Sequence, residues 1–265
     1  MKTLPILAPI MIFLLTFFTL FLNVANAFDH THQILQQLLD QKLVIKGEQS
    51  FVKYSEIKNN PEILNSYIKE LSTVSSEEFK QWDSSQRLAF LINAYNALTL
   101  KMIVKNYPIK SIRDIGNFFT GNAWNQKFFH LLGRKSHLDD IEHTLIRKNF
   151  NEPRIHFALV CASNGCPNLQ QKVFTAKDLE SQLSNAAKDF LSNSLKNRFS
   201  SSEKKLYLSM IFKWYGDDFT KSHASYLSFI APFLSSDLET QKKIANNSYQ
   251  IEWIPYSWDL NDNGK

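Results

Sequence analysis

The chain has two cysteines, Cys161 and Cys166, set five residues apart in RIHFALVCASNGCPNL, residues 154–169. Such a pair can supply a nucleophile, a redox couple or a disulfide across a turn. Pro167 holds Cys166 in an extended conformation, a fixed presentation that a nucleophile could use. Glu142 and His143 lie upstream in SHLDDIEHTLIRKNF, and His156 stands five residues before Cys161. These are the parts of a thiol-dependent hydrolase or acyl transferase. Cys166 or Cys161 attacks, His143 or His156 takes the proton, Glu142 orients the imidazole, and Asn93 or Asn96 donates to an oxyanion. Many chains of this size hold such a set, and a free thiol outside the cell is exposed to oxidation. The C-x4-C spacing is not the C-x-x-C of thioredoxin-like enzymes. A structural disulfide across SNG therefore ranks first, contributing about 2 kcal/mol for so short a loop and mainly fixing its shape. The protein is then a binding module whose cleft, lined by Asn93, Asn96, Glu142, His156 and Trp214, takes a peptide, glycan or small molecule. A metal site ranks third. His137, Asp139, His143 and His156 are ligand types, and Asp139 with His143 could chelate from one helix face, but no zinc signature and no cofactor motif accompanies them.

The compartment decides which of these chemistries is open. Met1 and Lys2 precede the apolar run PILAPIMIFLLTFFTLFLNV, and Ala25 and Ala27 stand at the small-residue positions of a cleavage site. Residues 1–27 read as a secretory signal peptide, with an uncleaved anchor as the alternative. Cleavage leaves residues 28–265, exported to a periplasmic or secreted location, with no membrane insertion afterwards. The leader holds one of the 30 basic residues and none of the 25 acidic ones, which leaves an excess of four positive charges. That excess is scattered, so no nucleic-acid partner is expected.

The elements that must position these groups follow from periodicity. Residues 28–74 form a polar helical preface, and the helical pattern continues to residue 85. QRLAFLINAYNALTLKMIVKN, residues 86–106, is apolar on nearly every side, as expected of a central buried helix. Gln86, Asn93 and Asn96 share one face of it. Each buried amide left unpaired costs about 1–3 kcal/mol, so they must either clamp the irregular segment 107–125 or line a cleft. QKFFHLLGRK suggests a hairpin arm. SHLDDIEHTLIRKNF predicts a short helix with Ser136 as N-cap and Asp139 three residues on. Its spacing puts Glu142 beside the apolar stripe of Leu138, Ile141 and Leu145, and His143 away from it, in a ladder between Asp139 and Arg147.

RIHFALVC predicts a strand buried on both faces. Alternation along it would separate His156 from Cys161 and bar that histidine from serving as the cysteine's base. TAKDLESQLSNAAKDFLSN predicts a helix capped by Thr175, and KKLYLSMIFKWY a strand with Leu206, Leu208, Met210 and Phe212 on one face. A helix begins near Asp218, with Asp217 or Asp218 as its cap, and QIEWIPYSW forms a last strand. FKWYGDDF reads chiefly as core and turn, with Trp214 as a wall of the cleft. The class is α+β, a central buried helix packed against a small, mostly antiparallel sheet that contains 154–161 and 204–213.

LAFLINAYNALTL, LDDIEHTLIR, RIHFALVCASNGCPNL, IFKWYGDDF and YSWDLN occur in the order found in the family called domain of unknown function 547. The chain resembles an exported bacterial member of it over roughly residues 75–260. The resemblance implies a mixed helical and stranded domain, exported in bacteria and found in plant proteins behind a coiled coil, without an established reaction. It marks Asn93, Tyr95, Asn96, Glu142, His143, His156, Cys161, Cys166, Pro167, Trp214, Tyr215, Asp218 and Phe219. It is in this way that Tyr95 joins the ligand-binding candidates.

Overall fold

Asp83 opens the helix that organises the molecule. Its carboxylate accepts the Gln86 N–H at 2.8 Å, and its own N–H donates to the Gln86 side chain at 3.0 Å. Two of the donors stranded at any helix start are satisfied in this way. Gln86 thus belongs to the cap and not to a polar stripe facing a cleft. The computed structural model describes residues 27–117 and 121–264, so the leader expected over residues 1–27 lies, apart from Ala27, outside the described residues.

In chain order the helices and strands begin with α1 (Gln33–Lys42), β1 (Leu43–Lys46), β2 (Gln49–Val52), α2 (Tyr54–Asn59), α3 (Glu62–Thr73), α4 (Ser76–Gln81) and the central α5 (Ser84–Asn106). The short strands β3 (Gly116–Asn117), β4 (Gly121–Asn122), β5 (Phe129–Leu131) and β6 (Arg134–Ser136) follow. After two non-α turns come α6 (Leu179–Ser192), β7 (Arg198–Ser200), β8 (Lys205–Ser209), α7 (Met210–Phe219), α8 (Tyr226–Leu234), α9 (Leu238–Ala245) and β9 (Gln250–Ile254). The α+β class and the central helix are borne out. By length and composition α5 could cross a membrane, yet its apolar window is 89% buried inside the fold. Each Leu, Ile or Phe enclosed this way contributes about 1.5–3 kcal/mol.

Two hydrophobic cores result. The first gathers α1 to α5, most of the buried residues between 112 and 174 and the start of α6, and the second gathers the rest of α6 and α7 to α9 with the sheet. Phe28 and His32 are buried at the very start of the first core, so this end of the preface is docked against it. His32 Nδ1 lies 2.7 Å from the Tyr67 hydroxyl, and burial, helped by the neighbouring His30, holds its imidazole down at about 3.

The N-terminal preface is not wholly helical. Val44 and Ile45 feed β1, and Gly47 takes φ 59°, a left-handed turn that lets β2 return antiparallel. β5 and β6 form the expected hairpin, turning at Leu132 and Gly133. In the three-stranded sheet, β7 pairs antiparallel and β9 parallel with β8. The alternation of KKLYLSMIFKWY stops at Ser209, whose hydroxyl accepts the Ile211 N–H and starts α7. Met210 and Phe212 are therefore helical, and α7 begins eight residues before Asp218.

The largest departure is at residues 154–161, which are not a strand. Pro153–Phe157 form a single helical turn, opened by the Glu152 carboxylate accepting the Arg154 N–H, and an irregular stretch follows. Ile155 and Ala158 belong to the first core and Phe157 to the second. This segment is the seam between them.

Candidate functional site

A cleft of about 310 Å³ opens along that seam. Glu142, His143, His156, Cys161 and Cys166 all line it, together with Tyr95, Pro167 and Trp214. The expected separation of His156 from Cys161 was a consequence of a straight strand, and it disappears with the strand.

Glu142 sits on a widened turn, Asp140–Ile146, in which the Arg147 N–H reaches back five residues to the Glu142 carbonyl at 2.9 Å. The start of this turn is capped by His137, whose ring nitrogen accepts the Asp140 N–H, and not by Ser136, which ends β6. Leu138, Ile141 and Ile146 anchor the turn in the first core, and Glu142, 7% exposed, is turned inward with them. Its carboxylate accepts the Tyr95 hydroxyl at 3.2 Å and holds the Tyr215 hydroxyl as well. Burial and this negative charge push both phenols above their ordinary range. Among the described residues Glu142 forms no ion pair.

His143, on the outer side of the same turn, lies 2.9 Å from Arg147 Nη1 and 3.7 Å from Asp139, the ladder its spacing implies. Asp139 also lines the cleft, and burial raises its carboxyl above the usual value.

His156 is buried, stacks on Tyr215 at 4.2 Å, and places Nε2 2.7 Å from Asp218 Oδ2. Arg147 grips both oxygens of that carboxylate at 2.6 and 3.0 Å. Burial opposes the charge of Asp218, but the hydrogen bonds from His156 and Arg147 outweigh it and hold the carboxyl well below its ordinary range. Asp218 is thus a bridge near the end of α7 and caps no helix. An ionised carboxylate has no proton to give, so Nε2 is the donor and the lone pair of a neutral ring lies on Nδ1.

Cys161 and Cys166 form a disulfide, with Cα atoms 6.1 Å apart. The Ser163 and Tyr256 hydroxyls each lie 3.1 Å from Cys161 Sγ. The backbone N–H of Cys161 points at Cys166 Sγ at 2.7 Å, and Lys196 Nζ donates to the Cys166 carbonyl at 2.5 Å. Lys196 is buried, and desolvation lowers its ammonium to about 8.

Asn93 and Asn96, expected in the cleft, do not line it. Asn93 brackets Phe174, donating to its carbonyl at 2.7 Å and accepting its N–H at 3.0 Å. Asn96 accepts the Val160 N–H and donates to the Ala158 carbonyl, both at 3.0 Å. Each amide both donates to and accepts from main chain, which is why both can sit on a helix with no polar face. The clamp they form acts on 158–160 and 174, not on 107–125. The proposed metal ligands do not gather either: no group of three or more His, Cys, Asp or Glu among the described residues could hold an ion.

Four aromatic wall residues were not singled out from the sequence as a set: Trp124, Tyr215, Tyr256 and Trp258. Tyr256 and Trp258 lie 4.6 Å apart, Trp214 is 5.0 Å from Tyr256, and Trp124 is 6.0 Å from Trp258. The density of aromatics in YSWDLN and FKWYGDDF was the available signal. With an acidic floor, such walls suit a cation, which is attracted to ring faces as well as to carboxylates.

An α+β domain with an aromatic cleft beside a disulfide is the class that fold and site define. Residues 79–191 match the family described as "Protein of unknown function, DUF547", which supports that family for the segment carrying α5, Glu142, His156 and both cysteines. "Opioid growth factor receptor-like protein 1" of Mus musculus is 29% identical over 135 residues, 43% of this chain and 26% of that protein, so the likeness spans about a quarter of the relative's length. No solved structure matches the chain. The cleft walls at Trp214, Tyr215, Tyr256 and Trp258, and Asp218, the partner of His156, lie beyond the matched segment.

Proposed function

We propose that this protein is an exported ligand-binding domain whose cleft takes a cationic group carried by a peptide or small molecule. The observation that supports this reading is Glu142, a carboxylate 7% exposed, held by hydroxyls with no ion pair among the described residues, and set in an aromatic-walled hollow. Arg147, the nearby cation, is engaged by Asp218. A bound ammonium would complete the charge balance and meet ring faces on its other sides. A glycan would use the aromatics but not the second carboxylate, Asp139. The disulfide forms part of the wall, and it fits an oxidising compartment.

The test is a titration, followed by tryptophan fluorescence, with a lysine-containing dipeptide amide and its fully acetylated counterpart. Binding of the cationic form alone is expected, with Glu142→Gln weakening it about 10–100-fold. Equal affinity for the acetylated peptide, or for a neutral oligosaccharide, would remove the cation reading.

The second reading, a thiol-dependent hydrolase, is favoured by one observation: His156, which lines the same cleft as the two cysteines, is paired with Asp218. Both sulfurs are bonded to each other, so a nucleophile requires prior reduction. Ester hydrolysis that appears only after reduction and vanishes in His156→Gln would establish it.

A further inference from the structure

A disulfide that only held its loop would be redundant here. Residues 161–166 are already pinned by main-chain bonds to the segment that follows β9. Asn164 N–H donates to Asp259, Gly165 N–H to Ser257, and Asn261 N–H to Ala162, at 2.8, 2.8 and 3.1 Å. Cys166 N–H closes the turn on Ser163 at 3.1 Å. Gly165 has no room for a side chain, since a Cβ there would stand 2.9 Å from the Ser257 carbonyl. Both cysteines nevertheless line the cleft, Cys161 half-buried and Cys166 5% exposed.

The surroundings favour the reduced form. A hydroxyl donates weakly to disulfide sulfur and strongly to a thiolate, and two hydroxyls lie 3.1 Å from Cys161 Sγ. The Cys161 N–H is aimed at the other sulfur, and the Lys196 ammonium sits on the Cys166 carbonyl. Groups that stabilise the dithiol raise the reduction potential of the pair.

We propose that the Cys161–Cys166 disulfide is exchangeable and oxidises thiols of small molecules or peptides that enter the cleft. The thiolate of the incoming ligand attacks Cys166 Sγ and forms a mixed disulfide. The S–S electron pair passes to Cys161 Sγ, where the Tyr256 and Ser163 hydroxyls receive the charge. A second ligand thiolate then attacks the mixed disulfide at the ligand's sulfur, releasing the ligand disulfide and the Cys166 thiolate, which takes up a proton. In sum, two ligand thiols and the protein disulfide give one ligand disulfide and the protein dithiol. A disulfide of the same class regenerates the protein by the reverse steps. The inference uses the cleft of the preceding reading but not its cation. Peptide binding, measured on the oxidised protein, can fail while exchange holds, and the reverse.

The full chain is equilibrated with reduced and oxidised glutathione, quenched by alkylation and weighed intact, with folding followed by circular dichroism. Reduction of the folded protein in the glutathione range is expected. Tyr256→Phe and Ser163→Ala should each shift the equilibrium about tenfold toward the disulfide. Ser163→Ala carries the test alone if Tyr256→Phe does not fold. Cys161→Ser, treated with glutathione disulfide, should gain one glutathione on Cys166. A pair that stays oxidised until the protein unfolds, an equilibrium unmoved by the hydroxyl deletions, or no adduct on Cys161→Ser overturns the proposal.

Discussion

His156 and Asp218 are 62 residues apart in the chain and 2.7 Å apart in the fold. That contact joins the helical turn at the seam to α7, and Arg147 ties the same carboxylate to the turn that carries Glu142. Three walls of the cleft are thereby fixed by one side chain.

Asp218→Asn should therefore loosen the cleft and lower stability by about 2–3 kcal/mol, the scale of hydrogen bonds to charged groups. The effect depends on pH. The folded carboxyl lies below its ordinary value of 3.8, so its contribution is complete above that value and is lost as pH falls further. Urea unfolding of the two proteins should differ at pH 7 and converge as the pH is lowered well below 3.8.

Asn96→Ala strips partners from the Ala158 carbonyl and the Val160 N–H, both of buried residues. A loss of about 2–4 kcal/mol is expected from two orphaned groups. Asn93→Ala should cost a similar amount at Phe174. Only the Asn96 variant should expose the neighbouring cysteine loop to faster amide hydrogen exchange.

Lys196 acts in the opposite sense at alkaline pH. Its ammonium is lowered from 10.5 to about 8 in the fold, so between those values the unfolded chain binds more protons and stability rises with pH. Below pH 8 the buried charge is a net cost of up to about 3 kcal/mol. Lys196→Met should be more stable than wild type at pH 7, and thermal unfolding should show the gap narrowing as pH approaches 10.5.

Trp214 is 43% exposed and packs at the cleft mouth against Tyr256 and Trp258. Trp214→Ala should leave the unfolding midpoint within the usual range for surface changes, about ±0.5 kcal/mol. Affinity for the cationic peptide should fall about 3–10-fold, read by calorimetry.

The sequence pattern revealed what rests on local rules. The buried helix was legible in the largely apolar run from Leu88 to Leu100, broken only by Asn93, Asn96 and Thr99, and the inward turn of Glu142 in its place beside Ile141 and Leu145. The disulfide followed from a short spacing and an expected oxidising compartment. What was not legible depends on distant partners. RIHFALVC has strand composition, but Pro153 starts a helical turn there and Asn96, more than fifty residues upstream, supplies the partners that a sheet ladder would have given to 158 and 160. The β1 and β2 hairpin was hidden because Leu38, Leu39 and Leu43 continue a helical spacing across its start. Asp218 looked like a helix cap because nothing nearby in sequence announces Arg147 or His156 as its partners.

The bonds from residues 257–261 to the cysteine loop also impose an order of assembly. During synthesis the loop emerges roughly a hundred residues ahead of the tail that braces it, so the nascent polypeptide carries two unbraced cysteines through about the last third of its elongation. A bond formed between Cys161 and Cys166 before the tail arrives closes a loop that nothing yet braces, and the cleft reaches its mature shape only when those late residues dock.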